Sequence, residues 1–179
     1  MTRLKLEDEN KRITEKLFQY SITDSLTELY NRRYFDKFSK ETLNQIKRLD
    51  CNATLSFIDI DDFKQLNDKY GHEKGDKVLQ YLSTILVKNA RKGIEHVFRI
   101  GGEEFAIISR NSPVEDSIAY LSRVNKELKD FPFSEDISIT LSIGIDSYKT
   151  EDKNSDDAYK RADDKMYKAK NCGKNCIIK

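Results

Sequence analysis

Residues 94–109, IEHVFRIGGEEFAIIS, contain two runs of β-branched and aromatic residues joined by Gly101-Gly102. Two such runs meeting at Gly-Gly predict a β-hairpin, because glycine closes a tight turn whose twist suits the flanking strands. Upstream, Ala53–Ile60 (ATLSFIDI) is short, apolar and β-branched, and predicts a second strand region. Downstream, residues 137–145 (ISITLSIGI) alternate as a strand does, and residues 176–178 can add a short edge strand. The segments between them have helical periodicity. Asn31 can cap a helix reaching about Arg48, with Tyr34, Phe35, Phe38, Leu43 and Ile46 on its apolar face. Residues 61–69 predict a short helix ending near Gly71. Residues 73–91 predict a longer one, with Val78, Leu79, Leu82, Ile85 and Leu86 inward. Pro113 fits the first turn of a helix to about Lys129, and residues 155–170 place Ala158, Ala162, Met166 and Ala169 on one face. The predicted order is βααββαβ with a helical lead-in. That is an α/β class fold, an α+β sandwich with a mixed central sheet flanked by helices.

The lead-in is highly charged. Leu6, Asn10, Ile13, Leu17 and Tyr20 recur in alternating steps of four and three, the pattern of a coiled-coil seam. Asn10 would take an a position, where a buried Asn favours parallel dimers. The run is shorter than three heptads, so an ordinary amphipathic surface helix is an equal reading. Residues 24–30 read as a connecting loop. The chain therefore divides into residues 1–23, an N-terminal helix or coiled-coil linker, and residues 24–179, one globular domain.

Hydrophobic residues make up 37% of the 179, enough for one core. Thirty-two Lys and Arg against 31 Asp and Glu leave no global field directing the chain to nucleic acid or anionic lipid. Three cysteines, Cys51, Cys172 and Cys176, are odd in number and lack CxxC spacing, which fits free thiols in a reducing compartment. No apolar run approaches bilayer length, and the charged N-terminus lacks a signal peptide's apolar stretch. The expectation is a cytoplasmic segment without direct membrane insertion, either free or part of a longer, membrane-tethered protein.

Asp59 sits near the end of an apolar strand, and Glu103 and Glu104 follow the glycine turn. If these strands are neighbours, the acids converge at one edge of the sheet. Two carboxylates, a backbone carbonyl and substrate phosphates make a set that magnesium accepts. The competing reading is a group of solvated turn acids. It suits Asp61, Asp62 and Asp68 well, and Asp59 less, since an acid flanked by Phe57, Ile58 and Ile60 needs a partner. Lys64, Lys170 and Lys174 are candidate phosphate contacts, and the N–H groups of Asp62, Phe63 and Lys64 open a helix able to bind an anion. Each lysine alone also reads as a plain surface charge.

Four motifs in order carry a resemblance. They are DSLTELYNRRYF (24–35), FIDIDDFKQLNDKYGHEKGDKVL (57–79), GGEEF (101–105) preceded by Arg99, and KRADDKMYKAKNCGKN (160–175). Together they resemble the GGDEF-domain diguanylate cyclase family in its GGEEF form. The resemblance implies a palm-like nucleotide-cyclase core, with residues 24–179 as the catalytic domain. It implies an enzyme that condenses two GTP into cyclic di-GMP, releasing two pyrophosphates, in a homodimer with one GTP on each protomer. By the same resemblance Asp59 and Glu103 hold Mg2+ (Mn2+ as a substitute) with the Ile60 carbonyl, and Glu104 is catalytic or positions the metal. Asn67 and Asp76 bind guanine, whose N1–H and N2–H donors suit a carboxylate. The amides of Asp62, Phe63 and Lys64, with the side chains of Lys64, Lys170 and Lys174, contact phosphate. Gly101 and Gly102 allow close backbone approach to the nucleotide. An upstream sensory domain is a common partner.

Two departures matter. The family often has Arg where Lys174 stands, so charge is kept but not a bidentate fork. Many members also carry an inhibitory RxxD motif nine residues before the first glycine of the turn. Here that window reads Lys92-Gly93-Ile94-Glu95, with Arg91 one place early. A solvated charged turn, and weak or absent product inhibition, are expected there. The alternative to the enzyme is a silent module that binds GTP or cyclic di-GMP. Silent relatives usually lose the acids of the naming motif, and both acids are present here.

Overall fold

The computed structural model describes residues 3–49, 51–129 and 137–179; within the first helix, side chains are described at residues 9, 12–15 and from 17 onward. The elements are α1 (Arg3–Ile22), α2 (Arg32–Leu49), β1 (Ala53–Ile60), α3 (Phe63–Tyr70), α4 (His72–Asn89), β2 (Glu95–Gly101), β3 (Glu104–Arg110), α5 (Val114–Leu128), β4 (Leu141–Ser147), α6 (Ser155–Asn171) and β5 (Ile177–Ile178). The sheet order is β2-β3-β1-β4-β5, antiparallel throughout except for the β4–β5 pair. The predicted mixed sheet between helices is the observed one.

Alternation along β1 sorts the two layers. Ile58 and Ile60 join Phe105, Ile107, Leu141, Ile143 and Ile145 in a core beneath α4 and α5. Leu55 and Phe57 face the other way, with Phe98, Ala106 and Ile108, toward α2 and α6. Asp59 shares the parity of Phe57 and so lies on the α6 side. Helix α6 packs very closely there. A β-carbon on Gly144 of β4 would overlap the backbone of Ala162 and Met166, and Ala158, Ala162 and Ala169 are the small residues α6 turns inward. Its start is fixed by a capping box between Asn154 and Asp157.

Some boundaries differ from expectation. The strand expected at 137–145 is β4, shifted to Leu141–Ser147, because its ladder follows β1, from Ile60↔Leu141 to Thr54↔Ser147. Pro113 stands at the N-cap of α5 rather than in its first turn. The loop at 24–30 also joins the sheet: Tyr30 bridges Thr23 and Phe98, and its carbonyl accepts from the Arg99 amide at 2.8 Å.

Ile13, Leu17 and Tyr20 of α1 are 49%, 63% and 78% exposed, so this stripe is not packed on the domain. Leu6 and Asn10, also expected in the seam, lie outside the described side chains. Among the described residues, no helix is long and apolar enough to cross a membrane.

Candidate active site

The C-terminal end of β1 places Asp59 directly opposite Glu104 of β3. The Ile60 amide then donates to the Glu103 carbonyl at 3.4 Å, which sets the hairpin turn beside the end of β1. Because β1 is the central strand, the acids meet at the end of the sheet and not along a free edge. A cleft of about 250 Å³ lies here, lined by Asp59, Ile60 and Glu103 from the strand ends. Asp62, Phe63 and Lys64 line it from the start of α3, and Lys170 and Lys174 from the end of α6. Larger hollows elsewhere, such as the 470 Å³ one beside Lys92 and His96, hold none of these acids.

Asp59 is 4% exposed. Burial pushes its carboxyl up to about 6, against the opposing hydrogen bond and charge of Lys170, and the neighbouring Glu103 and Glu104 add to the rise. Lys170 Nζ stands 2.7 Å from Asp59 Oδ2. Glu104 is also held above the ordinary range, by burial first and then by Asp163 and Glu103. Such a site is short of positive charge. Among the described residues no three acidic, His or Cys side chains form a preformed metal cage. Two converging carboxylates beside lysines and the start of a helix are nonetheless a donor set that fits magnesium, which keeps water and substrate oxygens in its shell.

Asp62 occupies the N-cap of α3 in a left-handed conformation, φ 56°, and its side chain makes no cap. The N–H groups of residues 62–64 precede the first bond of the helix, Leu66 N–H to the Asp62 carbonyl, and so remain available to an anion. The Asp62 carboxylate instead pairs with Lys174 Nζ at 2.6 Å. Lys174 sits in a left-handed turn after α6, φ 65°, that brings its side chain back over the start of α3. Gly102 has φ 51°, a left-handed conformation that Asp62 and Lys174 also adopt, and a β-carbon on Gly101 or Gly102 would meet open space.

The model of the family described as diguanylate cyclase, GGDEF domain, matches residues 21–176. This chain belongs to the GGDEF diguanylate cyclase family. A diguanylate cyclase of Vibrio cholerae is 37% identical over 170 residues, covering 93% of this chain and 52% of its own length. The diguanylate cyclase DgcM of Escherichia coli is 35% identical, with 95% and 41% covered. The response regulator PleD of Caulobacter vibrioides is 33% identical, with 98% and 41% covered. The chain thus spans about half, or less, of the length of these relatives. Among solved structures, the coiled coil and GGDEF domain of DgcB from Caulobacter crescentus, in complex with c-di-GMP, superposes with a TM-score of 0.91 at 25% identity, covering 98% of this chain and 94% of that one. The active GGEEF domain of a Vibrio cholerae diguanylate cyclase does so at 0.77 and 34%, covering 83% and 97%.

Within this GGDEF domain the expected guanine residues lie outside the lining of the cleft at the end of β1. Asn67 lies near the end of α3, and Asp76 is exposed in the first turns of α4. Three residues, Asp61, Arg99 and Asp24, brace the surroundings of the cleft through long-range contacts. Asp61, expected as a solvated turn acid, is tied down on three sides. It accepts from Thr140 Oγ1 and Ser142 Oγ, each at 2.6 Å, and from the Asn175 amide at 3.0 Å. It thereby anchors the turn that carries Lys174. Arg99 donates to Asp24 at 2.9 Å and to the Gly102 carbonyl at 3.1 and 2.9 Å, joining the end of the lead-in to the hairpin turn. The family motifs contain all three residues, but the pairings themselves are tertiary.

The window in place of RxxD also needs a correction. It is not a fully solvated turn. The Glu95 side chain is fully buried and bonds to Arg91 at 2.6 Å, with the Arg91 amide donating to it at 2.7 Å. Arg91 also reaches Asp116 and Ser112, while Lys92 is exposed.

Proposed function

We propose that this domain is an active diguanylate cyclase, condensing two GTP into cyclic di-GMP with release of two pyrophosphates. The observation that carries this reading is the single cleft joining Asp59, Glu103, Lys170, Lys174 and the free amides at the start of α3. The residues serve as follows. Asp59, Glu103 and the Ile60 carbonyl would hold a divalent ion, and Lys170, now paired with Asp59, would turn to phosphate. A bound Mg2+, or Mn2+, polarises the phosphoryl oxygens and makes the attacking hydroxyl more acidic. The amides of Asp62, Phe63 and Lys64, with Lys64 and Lys174, hold the remaining phosphate charge. Asn67 and Asp76 hold guanine, and Glu104 adds a carboxylate beside the reacting centre. Residues 24–179 form the catalytic unit, in the cytoplasm where GTP is supplied.

One protomer presents one such cleft, and the product needs two nucleotides. The reaction therefore proceeds in a homodimer, with each 3′-hydroxyl attacking the partner nucleotide's α-phosphate, and catalysis rests on positioning and charge neutralisation. The exposed stripe of α1 and residues 1–23 as a linker supply the contact that brings two domains together, under an upstream sensory domain. The test is chromatographic. GTP and Mg2+ incubated with the protein should yield cyclic di-GMP, and chelation or Asp59→Asn should abolish it. Unchanged GTP with the wild type would leave the silent, nucleotide-binding module as the better reading.

A further inference from the structure

Gly75 is buried in the first turns of α4, where the helix passes close to α3. A β-carbon built on it would overlap Oδ1 of Asn67 and come within 3.2 Å of Cζ of Phe63. That Oδ1 atom is itself buried and accepts no hydrogen bond. Buried amide oxygens are normally paired, and one held without a partner marks a side chain constrained for another purpose. Gly75 has no positive φ, so its backbone would admit alanine, the better helix former. The three nearest atoms in its way belong to the Asn67 carboxamide and the Phe63 ring.

We propose that Gly75 is a positioning residue for base recognition. Its missing β-carbon forms the slot that seats the Asn67 carboxamide against α4, next to Asp76, with the opposite end of the amide presented to guanine. This rests on the assignment of Asn67 and Asp76 to guanine. A methyl group at position 75 pushes out the tip of a flexible side chain, so the helix pair survives while the carboxamide turns away from the base.

The test is a double-mutant cycle with Gly75→Ala and Asn67→Ala, assayed with GTP and ATP at a protein concentration where the dimer dominates. Asn67→Ala and Gly75→Ala should each raise the KM for GTP by about tenfold and lower the preference for GTP over ATP, with kcat changed less than about twofold. The melting temperature of Gly75→Ala should equal or exceed that of the wild type. In the Asn67→Ala background, Gly75→Ala should add no further KM penalty, because the group it displaces is gone. A wild-type KM and base preference in Gly75→Ala, beside a clear defect in Asn67→Ala, would overturn the role of Gly75 and leave the guanine assignment standing. An undiminished Gly75→Ala penalty in the Asn67→Ala background would overturn it as well. No defect in Asn67→Ala would remove the guanine assignment and this inference together. If Gly75→Ala alone does not fold, the comparison of the double variant with Asn67→Ala still decides.

Discussion

Lys170 Nζ lies 2.7 Å from Oδ2 of Asp59, so a basic side chain from the end of α6 pairs with the buried carboxylate at the end of β1. The pair keeps a buried acid charged and keeps the lysine aimed at the cleft. Asp59→Asn should abolish cyclic di-GMP formation, and so should Glu103→Gln. The fold of Asp59→Asn should not suffer. A carboxyl whose folded pKa, about 6, exceeds its unfolded value stabilises below that unfolded value and loses the contribution as pH rises through about 6. At pH 7 nothing remains to lose, so the melting temperature of Asp59→Asn should match or exceed that of the metal-free wild type. Turnover by either variant would remove these acids from the site.

Asp146 behaves in the opposite sense. Burial raises its carboxyl, but hydrogen bonds from Lys165 at 2.6 Å and Arg161 at 3.2 Å outweigh this and hold it below the ordinary range. A depressed folded pKa stabilises above the unfolded value and is lost as pH falls through the folded one. Asp146→Asn should therefore cost roughly 2 kcal/mol at pH 7, the size of a hydrogen-bonded, partly buried charge pair. The difference from the wild type should shrink below about pH 4, the ordinary carboxyl range. Denaturant unfolding at pH 7 and pH 3 measures both.

Arg99 links Asp24 to the Gly102 carbonyl, so the turn carrying Glu103 depends on a contact made where α1 ends. Asp24→Asn should loosen that turn and lower kcat by about tenfold, with the KM for GTP changed little, since misplaced catalytic groups cost rate more than binding. An equal rise in KM with kcat intact would place Asp24 on the binding side instead.

Much of the frame was legible because it is local. β1, the β2–β3 hairpin and all the helices announce themselves through periodicity, Gly-Gly and caps. The residues expected to hold metal and phosphate came from the four ordered motifs, and one cleft is lined by Asp59, Ile60, Glu103, Asp62, Phe63, Lys64, Lys170 and Lys174. Asp61 was not, because its partners Thr140, Ser142 and Asn175 lie 79, 81 and 114 residues away. The burial of Glu95 was not legible for a related reason. Its burial depends on Arg91, one turn earlier, which also reaches Asp116 on α5. Tertiary pairing of polar groups leaves no periodic trace in sequence.

That Arg91–Glu95 pair bears on feedback. Glu95 spends its acceptors on Arg91, and the exposed Lys92 lacks the planar fork that reads guanine O6 and N7. Product inhibition through this window should be absent, and Lys92→Ala should leave the inhibition curve unmoved. Micromolar cyclic di-GMP binding that survives a blocked active site and vanishes in Lys92→Ala would contradict this.

The exposed α1 stripe predicts a concentration dependence. Specific activity should rise with protein concentration through the monomer–dimer transition. Deleting residues 1–20 should lower activity at low concentration, and fusion to a strong parallel coiled coil should restore it. Activity per molecule that stays flat across the measured transition would argue for a different dimer contact.

Turnover of two GTP at paired clefts is tested most directly by the stoichiometry of a Mg2+-containing reaction. Nucleotides and pyrophosphate should be quantified together over time. Two GTP should disappear for each cyclic di-GMP formed, with two pyrophosphates released and no linear dinucleotide accumulating. GTP bound but recovered intact, or pyrophosphate released without cyclic di-GMP, would contradict it.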